Sequence, residues 1–275
     1  MPFKIIRCLA PDMQNTETYQ YNGMAITYKK MGTGLPLIIL HGWGSSGQVM
    51  MPLAQQLSEI RTCYVLDLPG FGDTSAPDRA WSVDDYADLV EQFIKDQGLD
   101  NVDLLVHSFG GRIALKLCAR ETGMQLIDKV LITGGAGMKP RRNLFYFIKK
   151  YTAKMLKAPF IILPGNLRER ALNWLRQTPL WKFLGSSDYS KLSGVMRETF
   201  VRTVTEYLEP CLPKIPHEVL LLWGRDDESA PLYQAERMEQ GIKNAALVVI
   251  DHAGHYAFLD RPSHFVSIAK AFFEG

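Results

Sequence analysis

Three stretches of this 275-residue chain hold side chains able to act together as nucleophile, base and electrophilic cradle. In the first, the apolar run Val102, Leu104, Leu105, Val106 stops at His107-Ser108, and Ile113, Ala114, Leu117 and Cys118 follow at helical spacing. Ser108 therefore stands where a strand turns into a helix. A serine there has an exposed hydroxyl above unpaired N–H groups at a helix start, and Gly110-Gly111 permits a tight turn. Those are the requirements of an activated nucleophile; the plainer reading is a serine that caps the helix. The second stretch is His41-Gly42-Trp43-Gly44-Ser45-Ser46-Gly47, a glycine-rich turn that aims backbone N–H groups at a ligand. It lacks the lysine and the G-x-x-x-x-G-K spacing of a phosphate loop. The third is split between Asp226 and Asp227, after one apolar run, and His252 and His255, after the last one. An acid and a histidine reaching the serine's edge of a sheet supply an orienting carboxylate and a general base, in the order Ser, Asp, His.

The elements that must bring these residues together are legible as pattern. Thr18 to Met31 alternates around Asn22-Gly23, a hairpin signal because both residues tolerate positive φ. From Leu35 onward, apolar runs (37–40, 63–66, 102–106, 130–133, 219–223, 247–250) alternate with amphipathic stretches (48–57, 83–94, 231–238, 262–273). Such alternation predicts an α/β fold with a mostly parallel central sheet covered on both faces. Between Thr133 and Val219 no comparable run occurs. Helices are expected over 143–157, over 166–177 with Asn166 as cap, and over 195–208, where Met196, Phe200, Val204 and Leu208 repeat at four-residue steps. Pro159, Pro164 and Pro179 punctuate them. The expected organisation is a core of residues 1–137 and 217–275 with an inserted helical cap, 138–216.

Hydrophobic content of 47% and charged content of 22% are those of an ordinary globular protein. The first eleven residues are too short and too interrupted for a signal peptide, and no run approaches the ~18 apolar residues of a transmembrane segment. Cys8, Cys63, Cys118 and Cys211 are scattered without metal-ligand spacing, which predicts reduced thiols in a cytoplasmic protein and no metal or cofactor. Charge is uneven. The interval 138–216 has fifteen basic and five acidic residues, a net +10 against −8 for the remainder, and Lys139, Arg141, Arg142, Lys149, Lys150, Lys154 and Lys157 come with no acid among them. That asymmetry suits an acidic partner, such as an acyl carrier, or an anionic substrate, as well as a solvated basic face. No nucleic-acid-binding motif accompanies it. Phe145, Tyr146, Phe147, Tyr151, Trp174, Trp181 and Phe183 offer the same interval aromatic surface to pack on the core or to roof a pocket.

Taken together, the serine turn, the His-Gly-Trp-Gly loop, Asp67-Leu68-Pro69-Gly70-Phe71-Gly72, Trp223-Gly224 with an aspartate and a proline following, and Gly254-His255 resemble the capped α/β-hydrolases of esterase type, among them relatives of pimeloyl-acyl-carrier-protein methyl esterase. The resemblance implies Ser108 as nucleophile, His255 as general base and Asp227 as its orienting acid. It also implies an oxyanion hole from the backbone N–H groups of Trp43 and Phe109. His41, His107 and His252 are expected in structural roles, and Asp67 to Gly72 as a turn. Val106 departs from the family's G-x-S-x-G elbow, and a β-branched residue there is expected to crowd the turn. The implied activity is cleavage of a small-molecule carboxylic ester or thioester. A carbon–carbon bond hydrolase or cofactor-free haloperoxidase would use the same triad, and a non-catalytic binding protein on the same scaffold is the reading from another class.

Overall fold

The computed structural model describes residues 15–141, 144–178 and 192–275. Eight strands form one sheet: β1 (Asn15–Tyr21), β2 (Met24–Met31), β3 (Pro36–Leu40), β4 (Thr62–Leu66), β5 (Val102–His107), β6 (Ile127–Thr133), β7 (Glu218–Gly224) and β8 (Ala245–Ile250). Their order is β1-β2-β4-β3-β5-β6-β7-β8. β1, β2 and β4 pair antiparallel and all other neighbours pair parallel. Asn22 and Gly23 make the expected hairpin turn at φ 49° and 78°. The uninterrupted apolar strands bury both faces. Ile38, Leu40, Leu104, Val106, Leu221 and Trp223 lie in one core cluster, while their alternates Leu37, Ile39, Leu105, Leu220 and Leu222 lie in the other.

Helices α1 (Gly47–Leu57), α2 (Val83–Asp96), α3 (Phe109–Cys118) and α4 (Glu121–Leu126) precede β6. α5 (Leu144–Ile161), α6 (Gly165–Gln177) and α7 (Gly194–Thr205) occupy the interval before β7, followed by a 3-10 turn, Glu209–Lys214. α8 (Tyr233–Gly241), α9 (Ala257–Asp260) and α10 (Pro262–Glu274) complete the chain. One core cluster takes buried residues from α2, α3 and α8, and the other from α1 and α10, so both sheet faces are covered. Three expected helix boundaries differ. Pro159 lies inside α5, which runs two residues past it, and Pro164 rather than Asn166 is the N-cap of α6. α7 stops at Thr205 instead of reaching Leu208, because Glu206 is extended and the Arg112 side chain donates to the Thr203 and Glu206 carbonyls (2.8 and 2.7 Å). A cation at a helix C-terminus satisfies carbonyls that another turn would otherwise have bonded. Among the described residues no helix is long and apolar enough to cross a membrane, and no cluster of metal-ligating side chains occurs.

Candidate active site

Sheet order first places the chemistry. From β3 the chain moves to β4 on one side and then to β5 on the other, so the carboxyl ends of β3 and β5 flank the point where strand order reverses, the usual ligand crevice of an open α/β sheet. The loop 41–47 leaves β3 and Ser108 leaves β5 at that edge.

Ser108 adopts φ 50° and ψ −104°, a conformation that costs a non-glycine residue about 1–3 kcal/mol. Its surroundings hold it there. Its N–H donates to the Thr133 carbonyl (3.1 Å), and its own carbonyl accepts from Gly111 and Ala136 (both 3.0 Å). A Cβ on Gly110 would come within 2.7 Å of the Leu40 carbonyl oxygen, so α3 packs this closely on β3 only with glycine there. Val106 does not crowd the turn. It lies within β5, opposite Leu40 and Ile132, fully buried in the core, and the backbone reversal begins only at Ser108.

The two aspartates and two histidines separate by burial. Asp226 and His252 are exposed; Asp227 is buried and His255 half-buried. Asp227 Oδ2 and His255 Nδ1 are 2.8 Å apart, while Oδ1 accepts from the Ser229 and Ala230 amides at 2.8 and 2.7 Å. Three acceptor contacts fix the carboxylate, which in turn sets the imidazole orientation with Nδ1 as donor. Trp223 anchors this loop from the core by donating Nε1–H to the Ala230 carbonyl (2.7 Å). Asp226 instead uses its amide to tie the acid loop to Ala253 (2.9 Å). Gly224 permits that approach, since a Cβ there would lie 2.2 Å from the Gly254 oxygen.

Trp43 and Phe109 face each other edge to face, ring centroids 5.2 Å apart. Gly42 brings their loop against the serine: a Cβ on it would touch the His107 ring and Ser108 Cβ, each at 3.1 Å. Among the described residues, neither the Trp43 nor the Phe109 amide donates to a protein acceptor. His41 is committed elsewhere, its Nδ1 to the Gly42 carbonyl (2.7 Å) and its Nε2 to the Leu68 amide (3.0 Å). Asp67 closes its turn by accepting from Gly47 and Asp73 amides. His107 bonds the Thr133 carbonyl through Nδ1 (3.1 Å), and burial pushes its pKa down to about 3, so it is neutral. It packs at 4.7 Å between ring centroids on both His255 and Tyr256.

Ser108, His255, Trp43 and Phe109 all line one cavity of about 550 Å³. Its wall includes Phe200 and Val204 from α7, and Arg112, whose type and place on a helix gave no sequence signal of this position. Burial lowers the Arg112 pKa to about 10, which leaves it cationic at neutral pH. Of the aromatic residues expected to pack on the core or to roof a pocket, Tyr151 and Trp174 are exposed, while the side chains of Phe145, Tyr146 and Phe147, and all of Trp181 and Phe183, lie outside the described residues. Among the described residues the aromatic lining comes from Trp43, Phe109, Phe200 and Tyr256.

With this geometry in view, a family model described as the alpha/beta hydrolase fold matches residues 36–262. The chain belongs to the α/β-hydrolase fold family. It is 27% identical to the AB hydrolase superfamily protein YisY of Bacillus subtilis, over 88% of this chain and 92% of that one. It is 24% identical to the pimeloyl-[acyl-carrier protein] methyl ester esterase of Nitrosomonas europaea, over 90% and 99% respectively. A crystal structure of a membrane phospholipase A superposes with a TM-score of 0.73 at 25% identity, covering 95% of this chain and 86% of that one. Esterases among the relatives of this hydrolase fold support hydrolase activity for the chain.

Proposed function

We propose that the chain is a serine hydrolase that cleaves a carboxylic ester or thioester through an acyl-enzyme, with Ser108 as nucleophile, His255 as general base and Asp227 as the acid that orients it. The observation that carries this reading is the 2.8 Å contact between Asp227 and His255, with His255 and the strained Ser108 lining one cavity. With Nδ1–H held by Asp227, Nε2 of His255 is the basic atom, and it takes the Ser108 proton as the hydroxyl attacks the carbonyl. The buried Asp227 stabilises the resulting imidazolium without itself accepting the proton. The Trp43 and Phe109 amides receive the oxyanion, an interaction whose loss typically costs about 100- to 1,000-fold in rate. The imidazolium then protonates the leaving group, and water repeats the cycle on the acyl-enzyme.

We read residues 138–216 as a cap, since α7 supplies Phe200 and Val204 to the cavity wall. The cationic Arg112 in that wall favours substrates with a carboxylate or phosphate distant from the scissile bond. The basic cap offers the same complementarity to an acidic carrier. The buried free thiols Cys63 and Cys118 accord with a reducing, cytoplasmic setting.

Labelling with a fluorophosphonate, read by intact mass, tests the proposal. One adduct is expected on the native chain, none on Ser108→Ala and slower labelling on His255→Asn. An unlabelled but folded native chain rejects the hydrolase reading. Labelled protein that cleaves a vinylogous diketone and no ester moves the substrate class to carbon–carbon bonds.

A further inference from the structure

The hairpin of α5 and α6 carries an apolar surface that the cavity does not use. Seven of the eleven exposed large apolar side chains among the described residues fall between Tyr151 and Trp174. On α5, Tyr151, Met155 and Ala158 follow at i, i+4 and i+7, one face of a helix, and all are exposed. On α6, Leu167 and Trp174 repeat the spacing. The corner between the helices is Ile161-Ile162-Leu163, with Ile162 87% exposed. From Tyr151 onward Leu175 is the single buried side chain among those described in this hairpin, and most of the other described apolar residues there are exposed.

Cations border the apolar stripe. Lys154 lies one turn from Tyr151 and Ala158, and Arg170 one turn from Leu167 and Trp174; both are exposed, as is Arg168. Glu169 is the single acid in this stretch, within an interval of net charge +10. Lysine and arginine beside tryptophan and aliphatic side chains, in helices without the length to span, is the pattern of a segment lying in a membrane interface. Exposed large apolar side chains concentrated in one segment in this way mark a candidate interaction surface.

We propose that the α5–α6 hairpin docks this protein on an anionic lipid bilayer, with Ile161, Ile162 and Leu163 entering the acyl boundary and Lys154, Arg168 and Arg170 meeting lipid phosphates. Charge complementarity selects the occupant. A second copy would bring one basic hairpin against another. An acidic carrier protein would satisfy the cations but leave Ile162 in water. A bilayer of anionic lipid satisfies both, since its surface potential attracts basic residues while its interior takes the apolar ones.

The test is co-sedimentation of the full chain with vesicles of phosphatidylcholine alone or with roughly one-third phosphatidylglycerol, at low and physiological salt. Binding is expected to the mixed vesicles, to weaken with salt, and to shift Trp174 emission to the blue, with no such shift in Trp174→Phe. Ile162→Ser is expected to weaken it about tenfold, and Lys154→Glu with Arg170→Glu at least about tenfold. These side chains are exposed, so circular dichroism should show folded variants. No binding to mixed vesicles at low salt overturns the proposal. So does binding that neither variant weakens, or a surface that captures only acyl carrier protein or only a second copy. Sedimentation requires no turnover, so an inactive protein that binds rejects the hydrolase reading alone, and an active one that does not bind rejects docking alone.

Discussion

At Ser108 the backbone and the proposed chemistry oppose each other. The residue sits at φ 50° and ψ −104° because its N–H, its carbonyl and the glycines around it leave no other path from β5 into α3. Glycine tolerates that conformation where serine is strained. Ser108→Gly is therefore expected to stabilise the fold by about 1 kcal/mol, the net of relieved strain and glycine's greater unfolded-state entropy. Urea unfolding measures this, and fluorophosphonate labelling is expected to vanish in the same variant. A stability loss would mean the serine side chain contributes more to the fold than the strain costs. Neither strain nor burial shows in residue identity. The sequence pattern marked Ser108 as the corner of a turn, but Asp227 and Asp226 differed only by resemblance until burial and three acceptor contacts separated them.

Between elements, the informative contact is Arg112 with α7. One guanidinium nitrogen donates to the last carbonyls of the helix that presents Phe200 and Val204 to the cavity. The fold therefore couples the helix that follows Ser108 to the cavity wall formed by α7. Arg112→Met removes both bonds and leaves carbonyls without a donor, a change expected to cost about 2 kcal/mol in unfolding free energy. With the wall loosened, kcat/KM for ester cleavage is expected to fall on the order of 10-fold while Ser108 still labels. Steady-state kinetics on neutral and anionic esters, beside a denaturation curve, check it. A larger loss for the anionic ester than for the neutral one supports Arg112 as a charge contact as well as a tether.

Across the whole molecule, buried histidines make stability depend on pH. Burial lowers the pKa of His41, His107 and His217, that of His107 to about 3. As pH falls through ~6.5 the unfolded chain takes up protons that the folded chain refuses. Stability is therefore fully present above that value and is lost on acidification, by up to about 1.4 kcal/mol per pH unit for each such histidine. Asp103, whose pKa burial raises despite its 2.8 Å bond to Arg61, acts in the opposite direction. Urea unfolding between about pH 5 and 7, compared between the native chain and a histidine variant, isolates that histidine's share. His107→Gln is expected to flatten the slope by about 1.4 kcal/mol per pH unit. An unchanged slope would show that His107 titrates normally in the folded chain.

Periodicity by itself determined the hairpin, the parallel sheet and the helices on both its faces, because burial on both faces requires unbroken apolar strands and burial on one face requires a helical stripe. Family motifs then singled out the residues gathered at the carboxyl edge. Only the tertiary structure decided that Val106 fits, since its neighbours in the core come from β3 and β6, far away in sequence. The same holds for the early end of α7, set by an arginine 91 residues before Thr203. It holds too for the exposure of Tyr151 and Trp174, because a helical stripe reads identically in sequence whether it packs on a core or is left facing outward.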